Sequence, residues 1–158
     1  MIFGGLIQRE GFSSTKRYRM MRFLTAVQPG VLLDPILVVL RVAEAIAAGL
    51  SMARVGWEPN RTRLGFAFRW TKLKGRRLEA WAYPAEIFTG GGTAHQDQIE
   101  TFVEVPLDTP SSAIAPFVND ATRLLFALFD GFEMPLVEIE KRIQRLLGRN
   151  VGLPRSSG

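Results

Sequence analysis

The sixteen residues from Pro35 to Leu50 carry only two charges, Arg41 and Glu44, and that run decides what else the chain must supply. Asp34 stands just ahead of it. Its carboxylate can accept from the unpaired N–H groups of a helix start, and Pro35 suits the first helical position, where no donor is missed. A helix over 34–55 follows. Ile36, Leu40, Ala43, Ala47 and Leu50 form one apolar stripe, and Val39, Val42, Ile46 and Ala53 form a second. A helix apolar on most sides needs cover on more than one face. It therefore sits at the centre of the fold or meets another domain or subunit. A bilayer-spanning helix needs about 20 apolar residues, so this stretch reads as too short and too charged, and no membrane partner is expected. Arg41 and Glu44, three apart, can pair on the exposed edge, and Gly56 offers the stop.

Period-two alternation takes over next. Leu64, Phe66, Phe68 and Trp70 alternate with Arg63, Gly65, Ala67, Arg69 and Thr71, the pattern of a half-buried strand. Lys74-Gly75-Arg76-Arg77 reads as a hairpin turn, returning a second strand over Leu78–Tyr83 that stops at Pro84. A glycine-rich loop over 85–98 precedes a third strand. There Ile99, Thr101, Val103 and Val105 face one way, and Glu100, Phe102 and Glu104 the other.

Two more helices are expected. One starts at Thr109-Pro110 and ends at Gly131. The other opens at Pro135 and closes at Gly148, with Glu138 and Arg142 an i,i+4 pair. The reading is an α+β fold of order α-β-β-β-α-α, a small antiparallel three-stranded sheet packed against three helices. It forms one domain over 31–150, after a lead-in or linker over 1–30 and before a flexible tail over 151–158. At 158 residues and 17.6 kDa such a domain can bury roughly 69% of its unfolded surface, enough for a real core.

The net charge of +5 is unevenly spread. Residues 1–77 hold 14 Lys and Arg against 4 acids, residues 78–140 hold Arg123 against 11 acids, and residues 141–158 add five bases. Such segregation serves either an external polyanion or internal pairing of a basic strand with an acidic one. If the first and third strands are neighbours, Arg63 and Arg69 lie opposite Glu100 and Glu104. The phenylalanines and Trp70 of the basic stretch share the face opposite those arginines, which makes them core and not a stacking platform. The turn bases Lys72, Lys74, Arg76 and Arg77 remain free to reach a phosphate, and they are the nucleic-acid candidates. Lys16, Arg17, Arg19 and Arg22 form a second basic cluster.

Catalytic chemistry finds little support. With no cysteine and one histidine, thiolate metal sites, disulfides and multi-histidine sites are excluded within one chain. His95, with Asp97 two residues on to orient it, lacks a nucleophile motif and reads as a solvated loop histidine. The glycine run at 90–92 lacks the Gly-Lys-Ser/Thr ending of a phosphate loop. Glu100 and Glu104 lie roughly 13 Å apart along a strand at about 3.3 Å per residue, too far for a glycosidase pair. No catalytic residue, cofactor or metal is assigned, and a cytoplasmic location is the default.

Three phrases carry a resemblance. Leu33-Asp34-Pro35 leading into Val39-Leu40-Arg41-Val42-Ala43-Glu44 is one, and Phe66–Arg76 is another. The third is Glu100–Pro110 with Phe129-Asp130-Gly131-Phe132. They are similar to the region after the conserved domain in bacterial Schlafen-type, Alba-like DNA-binding proteins. The resemblance covers residues 32–148 and implies a C-terminal accessory domain of a larger DNA-binding protein. It carries over no functional residue. The leading expectation is thus a non-enzymatic accessory or interaction module, using the apolar 34–55 helix for a protein partner or self-association. The alternative is a nucleic-acid-binding module using the 72–77 turn. An enzyme built on the 90–97 loop comes third.

Overall fold

A computed structural model describes residues 30–80 and 92–150, with backbone only for 149 and 150. In chain order its elements are β1 (Leu32–Leu33), α1 (Pro35–Ala53), β2 (Arg63–Trp70), β3 (Arg77–Leu78), β4 (Ile99–Pro106), α2 (Ala115–Ala127) and α3 (Leu136–Asn150). Single 3₁₀ turns at Pro59–Arg61 and Ser111–Ala113 lead into β2 and α2. The basic cluster at 16–22 and the expected lead-in and tail lie outside the described residues.

Helix α1 begins as its sequence dictates. Asp34 is 3% exposed, and its Oδ1 accepts from the N–H groups of Ile36 (2.8 Å) and Leu37 (3.2 Å), with Pro35 in the first turn. The helix is central. Val39, Val42, Ile46 and Leu50 are all but inaccessible, and α2 and α3 both pack against it. Each such side chain contributes about 1.5–3 kcal/mol by leaving water. At 19 residues and a mean hydropathy of 1.9, α1 lies within the expected 34–55 and is long and apolar enough to cross a bilayer by length and composition. Inside this fold 39% of that stretch is buried, Val39, Val42, Ile46 and Leu50 among it. Arg41 and Glu44 pair at 2.8 Å on its exposed edge, as their spacing predicts.

The expected three-stranded sheet is replaced by two two-stranded ones. β2 pairs antiparallel with β4 over all eight residues, while β3 pairs in parallel with β1. Lys74 and Gly75 do form a turn, closed by Arg76 N–H donating to the Leu73 carbonyl (2.9 Å), but it is not a hairpin reversal, because β3 keeps the direction of β2. Arg77 faces Thr93 antiparallel, just as Trp70 faces Ile99. Between those two pairings the first arm spends seven residues and the second six. The surplus residue makes a β-bulge, where Lys72 sits at φ 57° and Gly75 follows at φ 81°. Leu73, 2% exposed, is the apolar residue this jog drives into the core. Past the bulge, Leu73 N–H donates to the Asp97 carbonyl (2.9 Å), Gly75 N–H to Ala94 (2.9 Å) and Leu78 N–H to Gly92 (3.2 Å). Residues 92–97 are therefore the second arm of a long bulged hairpin. Of the strand expected over Leu78–Tyr83, only its start is observed, and positions 81–83 lie outside the described residues.

The helical half follows expectation with shifted ends. Pro110 opens the 3₁₀ turn and α2 starts at Ala115, with Pro116 in its first turn. Its C-terminus unwinds through Leu128 to Gly131, whose N–H donates to Ala127 and whose φ of 74° suits glycine. α3 continues past Gly148 to Asn150. Val105, Leu107, Val118, Leu125, Phe129 and Ile139, each 0% exposed, close the core between β4 and the helices.

Ile46→Ala is expected to destabilise the fold by about 2–5 kcal/mol, and Asp34→Ala by about 1–2 kcal/mol through the lost cap. Met52→Ala on the exposed side of α1 should stay within about 0.5 kcal/mol. Urea denaturation followed by circular dichroism ranks the three.

Candidate interaction surface

The alternation that fills the inner face of β2 and β4 sets two columns of charge on the outer face. Arg69 stands directly opposite Glu100 and Arg63 lies diagonal to Glu104, at 3.2 and 3.5 Å. The sequence-level pairing of the basic strand with the acidic one is therefore observed. Pairs this exposed contribute only about 0.2–1 kcal/mol each. Their effect is electrostatic masking, since the arginines of β2 present no uncompensated positive stripe. Between the two pairs Phe102, 63% exposed, lays its ring over Gly65, where a β-carbon would meet it at 2.9 Å.

The four bases expected at a hairpin tip occupy the bulge and the arm beyond it, in differing states. Lys72 and Lys74 are exposed, with no acid within ion-pair distance among the described residues. Arg77 pairs with Glu79 at 3.5 Å. Arg76 is half-buried, with its guanidinium near Gly30 and its Nε enclosed without a hydrogen-bond partner. The bulge thus offers two lysines to an external anion, not four cations.

His95 meets an acid that sequence spacing did not indicate. Its Nε2 lies 3.2 Å from Asp130 Oδ1, whose φ of 53° turns the carboxylate back toward the hairpin. Asp130 Oδ2 also accepts the Thr93 N–H at 3.2 Å. A β-carbon on Gly92 would collide with that carboxylate, so the close approach depends on glycine at 92. Ala94 bridges Phe129 alongside. The cluster clamps the second hairpin arm to the α2–α3 junction. His95 and Asp130 are mostly exposed, and none of these contacts supplies a nucleophile. Among the described residues no three His, Asp or Glu side chains gather as a metal site.

Among the described residues the most exposed apolar side chains lie where α1 ends. Met52 is 77% exposed, Val55 90% and Trp57 67%. Arg54, in their midst, donates from Nε to the Leu107 carbonyl at 3.1 Å and from its terminal nitrogen to the Thr109 carbonyl, fixing this end of α1 to the β4–α2 connection. The apolar stripes of α1 are largely covered inside the fold, and the large apolar side chain that α1 exposes, Met52, lies at this end. An open cavity of about 340 Å³ lies between α2 and the turn before α3, with Asn119, Arg123 and Glu133 above Phe126 and Met134. Sequence reasoning missed Trp57, because it lies past the expected helix stop at Gly56, and Asp130, because its partners are 35 and 37 residues away.

Compared with family models, curated proteins and solved structures, the chain matches none.

Gly92→Ala is expected to lower stability by about 1–3 kcal/mol by displacing the Asp130 carboxylate from Thr93 and His95. The double variant Gly92→Ala/Asp130→Gly should cost less than the two single changes added together, since glycine at 130 removes the collision and suits its positive φ. A double-mutant cycle from thermal melts reads the coupling.

Proposed function

We propose that this chain is a non-enzymatic accessory module that acts by binding a protein partner. The observation that carries the reading is the exposed trio Met52, Val55 and Trp57, placed where Arg54 ties the end of α1 to the β4–α2 connection. Tryptophan is among the residue types enriched at interface hot spots. The masking of Arg41, Arg63, Arg69 and Arg77 by neighbouring carboxylates also favours a protein over a polyanion. Burial of the α1 stripes among α2 and α3 favours a protein over a lipid surface. A place beside a DNA-binding domain, as the resemblance over 32–148 implies, belongs to the same proposal, as does a cytoplasmic setting.

Replacing Trp57 by a photoreactive phenylalanine analogue should give one discrete protein adduct in cells. The same analogue at Arg41, on the opposite stretch of α1, should give none. Absence of any adduct at 57 would sink the reading.

A second reading rests on Lys72 and Lys74, which remain uncompensated at the bulge. A nucleic-acid module using them binds labelled DNA or RNA with a steep salt dependence, and Lys72→Glu/Lys74→Glu flattens that slope by about two phosphate contacts. Fluorescence anisotropy at low and moderate salt checks it. Binding that the double variant leaves unchanged would remove the bulge from the account.

A further inference from the structure

β2 and β4 present the same inner face, yet the two rows are covered unequally. On β4, Thr101, Val103 and Val105 are 5, 7 and 0% exposed, whereas Leu64, Phe66, Phe68 and Trp70 on β2 are all only half-buried. α2 packs along β4, while β2 meets α1 where Phe66 rests on Gly49. Among the described residues no strand pairs with the other edge of β2. That edge is eight residues long and contains no proline, so every main-chain donor along it is intact.

The direction of those donors is fixed by the ladder. Leu107 N–H donates to the Thr62 carbonyl at 2.9 Å, which makes Thr62–Leu107 a hydrogen-bonded pair. Such pairs alternate along antiparallel strands. Leu64, Phe66 and Phe68 therefore spend their main-chain groups on β4, while Arg63, Gly65, Ala67 and Arg69 turn theirs outward.

We propose that the free edge of β2 binds β2 of a second copy of this chain, antiparallel and centred on Ala67, to close a four-stranded sheet about a two-fold axis. The proposal deepens the protein-binding reading above and rests on it. A second copy fits because β2 is complementary to itself in this register. The inner rows meet as Phe66 against Phe68 and Leu64 against Trp70, apolar pairs that cross-strand packing favours. On the outer face Arg69 lies against Gly65 and Arg63 against Thr71, so no two arginines oppose each other. Centring on Phe66 instead would set Arg63 against Arg69, and a one-residue slip would put apolar side chains on the charged face. Ala67 meets Ala67 at the axis, with no bulk in the way. Facing pairs 67–67, 65–69 and 69–65 supply roughly six main-chain hydrogen bonds, two per pair. The contact closes on itself, so it yields dimers and not filaments.

The test uses the full chain in analytical ultracentrifugation across a concentration series, with hydrogen exchange read amide by amide. Wild type should dimerise, and the amides of Gly65, Ala67 and Arg69 should gain protection as concentration rises. Ala67→Glu and Ala67→Lys, at an exposed position, should keep the native circular dichroism and, at a concentration low enough to keep the wild type monomeric, its melting curve. Each should raise the dimer dissociation constant about fivefold or more by setting like charges opposite each other. Mixing the two should restore a dimer as a heterodimer. A wild type that stays monomeric, an edge whose outward amides exchange independently of concentration, or a dimer indifferent to both substitutions would each overturn the proposal. The Trp57 cross-link decides the broader protein-binding reading separately, since Trp57 is not part of this edge.

Discussion

The antiparallel pairing of β2 with β4 is the interaction on which the other contacts depend. It joins residues from 29 (Trp70 and Ile99) to 43 (Arg63 and Pro106) positions apart. Once made, it sets the inner rows against α1 and α2, puts the arginines beside the glutamates, and aligns the 73–78 arm with residues 92–97. Loop closure over such distances carries an entropic cost that local contacts cannot offset. The buried Val103, Val105 and Leu107 offset it instead, by packing on helices that could not cover themselves.

Much of this order was legible in the residues. Asp34-Pro35 announces a helix start, and the two apolar stripes of α1 require central placement, because no single face could absorb them. The alternation in 63–71 and 99–105 fixes which side chains point inward. The opposite charges of Arg63 and Arg69 against Glu100 and Glu104 even indicate the correct strand neighbour. What was not legible is the path between those strands. Lys74-Gly75 has the composition of a reversal, and a bulge differs from a reversal only through what the chain meets next. Leu73 is the one residue that hinted at it: a lone leucine among lysines that must go somewhere dry.

The surface was less legible than the core for a physical reason. Core positions are selected by burial, which imposes a period, whereas Trp57, His95 and Asp130 act singly. Asp130 shows the limit well. Its role depends on a left-handed backbone angle, a glycine at 92 and a main-chain donor at 93, three conditions spread across separate elements. None of them leaves a pattern along the chain. The same holds for Lys72 and Lys74, which have no acid at ion-pair distance among the described residues and differ from Arg76 and Arg77 in what lies nearby.

The grip of Arg54 on the Leu107 and Thr109 carbonyls has a mechanical consequence. Val55 and Trp57 lie just past the last turn of α1, so a force applied to them divides between the chain back to Ala53, which the guanidinium ties to Leu107 and Thr109, and the short connection on to Arg63. The first part is then shared between the helix end and the end of β4, close to Pro106 and Arg63 where the ladder terminates. A tug at Trp57 is thus borne by the sheet and not by a loose chain end. Strain introduced there would show itself as fraying of β2 from β4, beginning at Arg63.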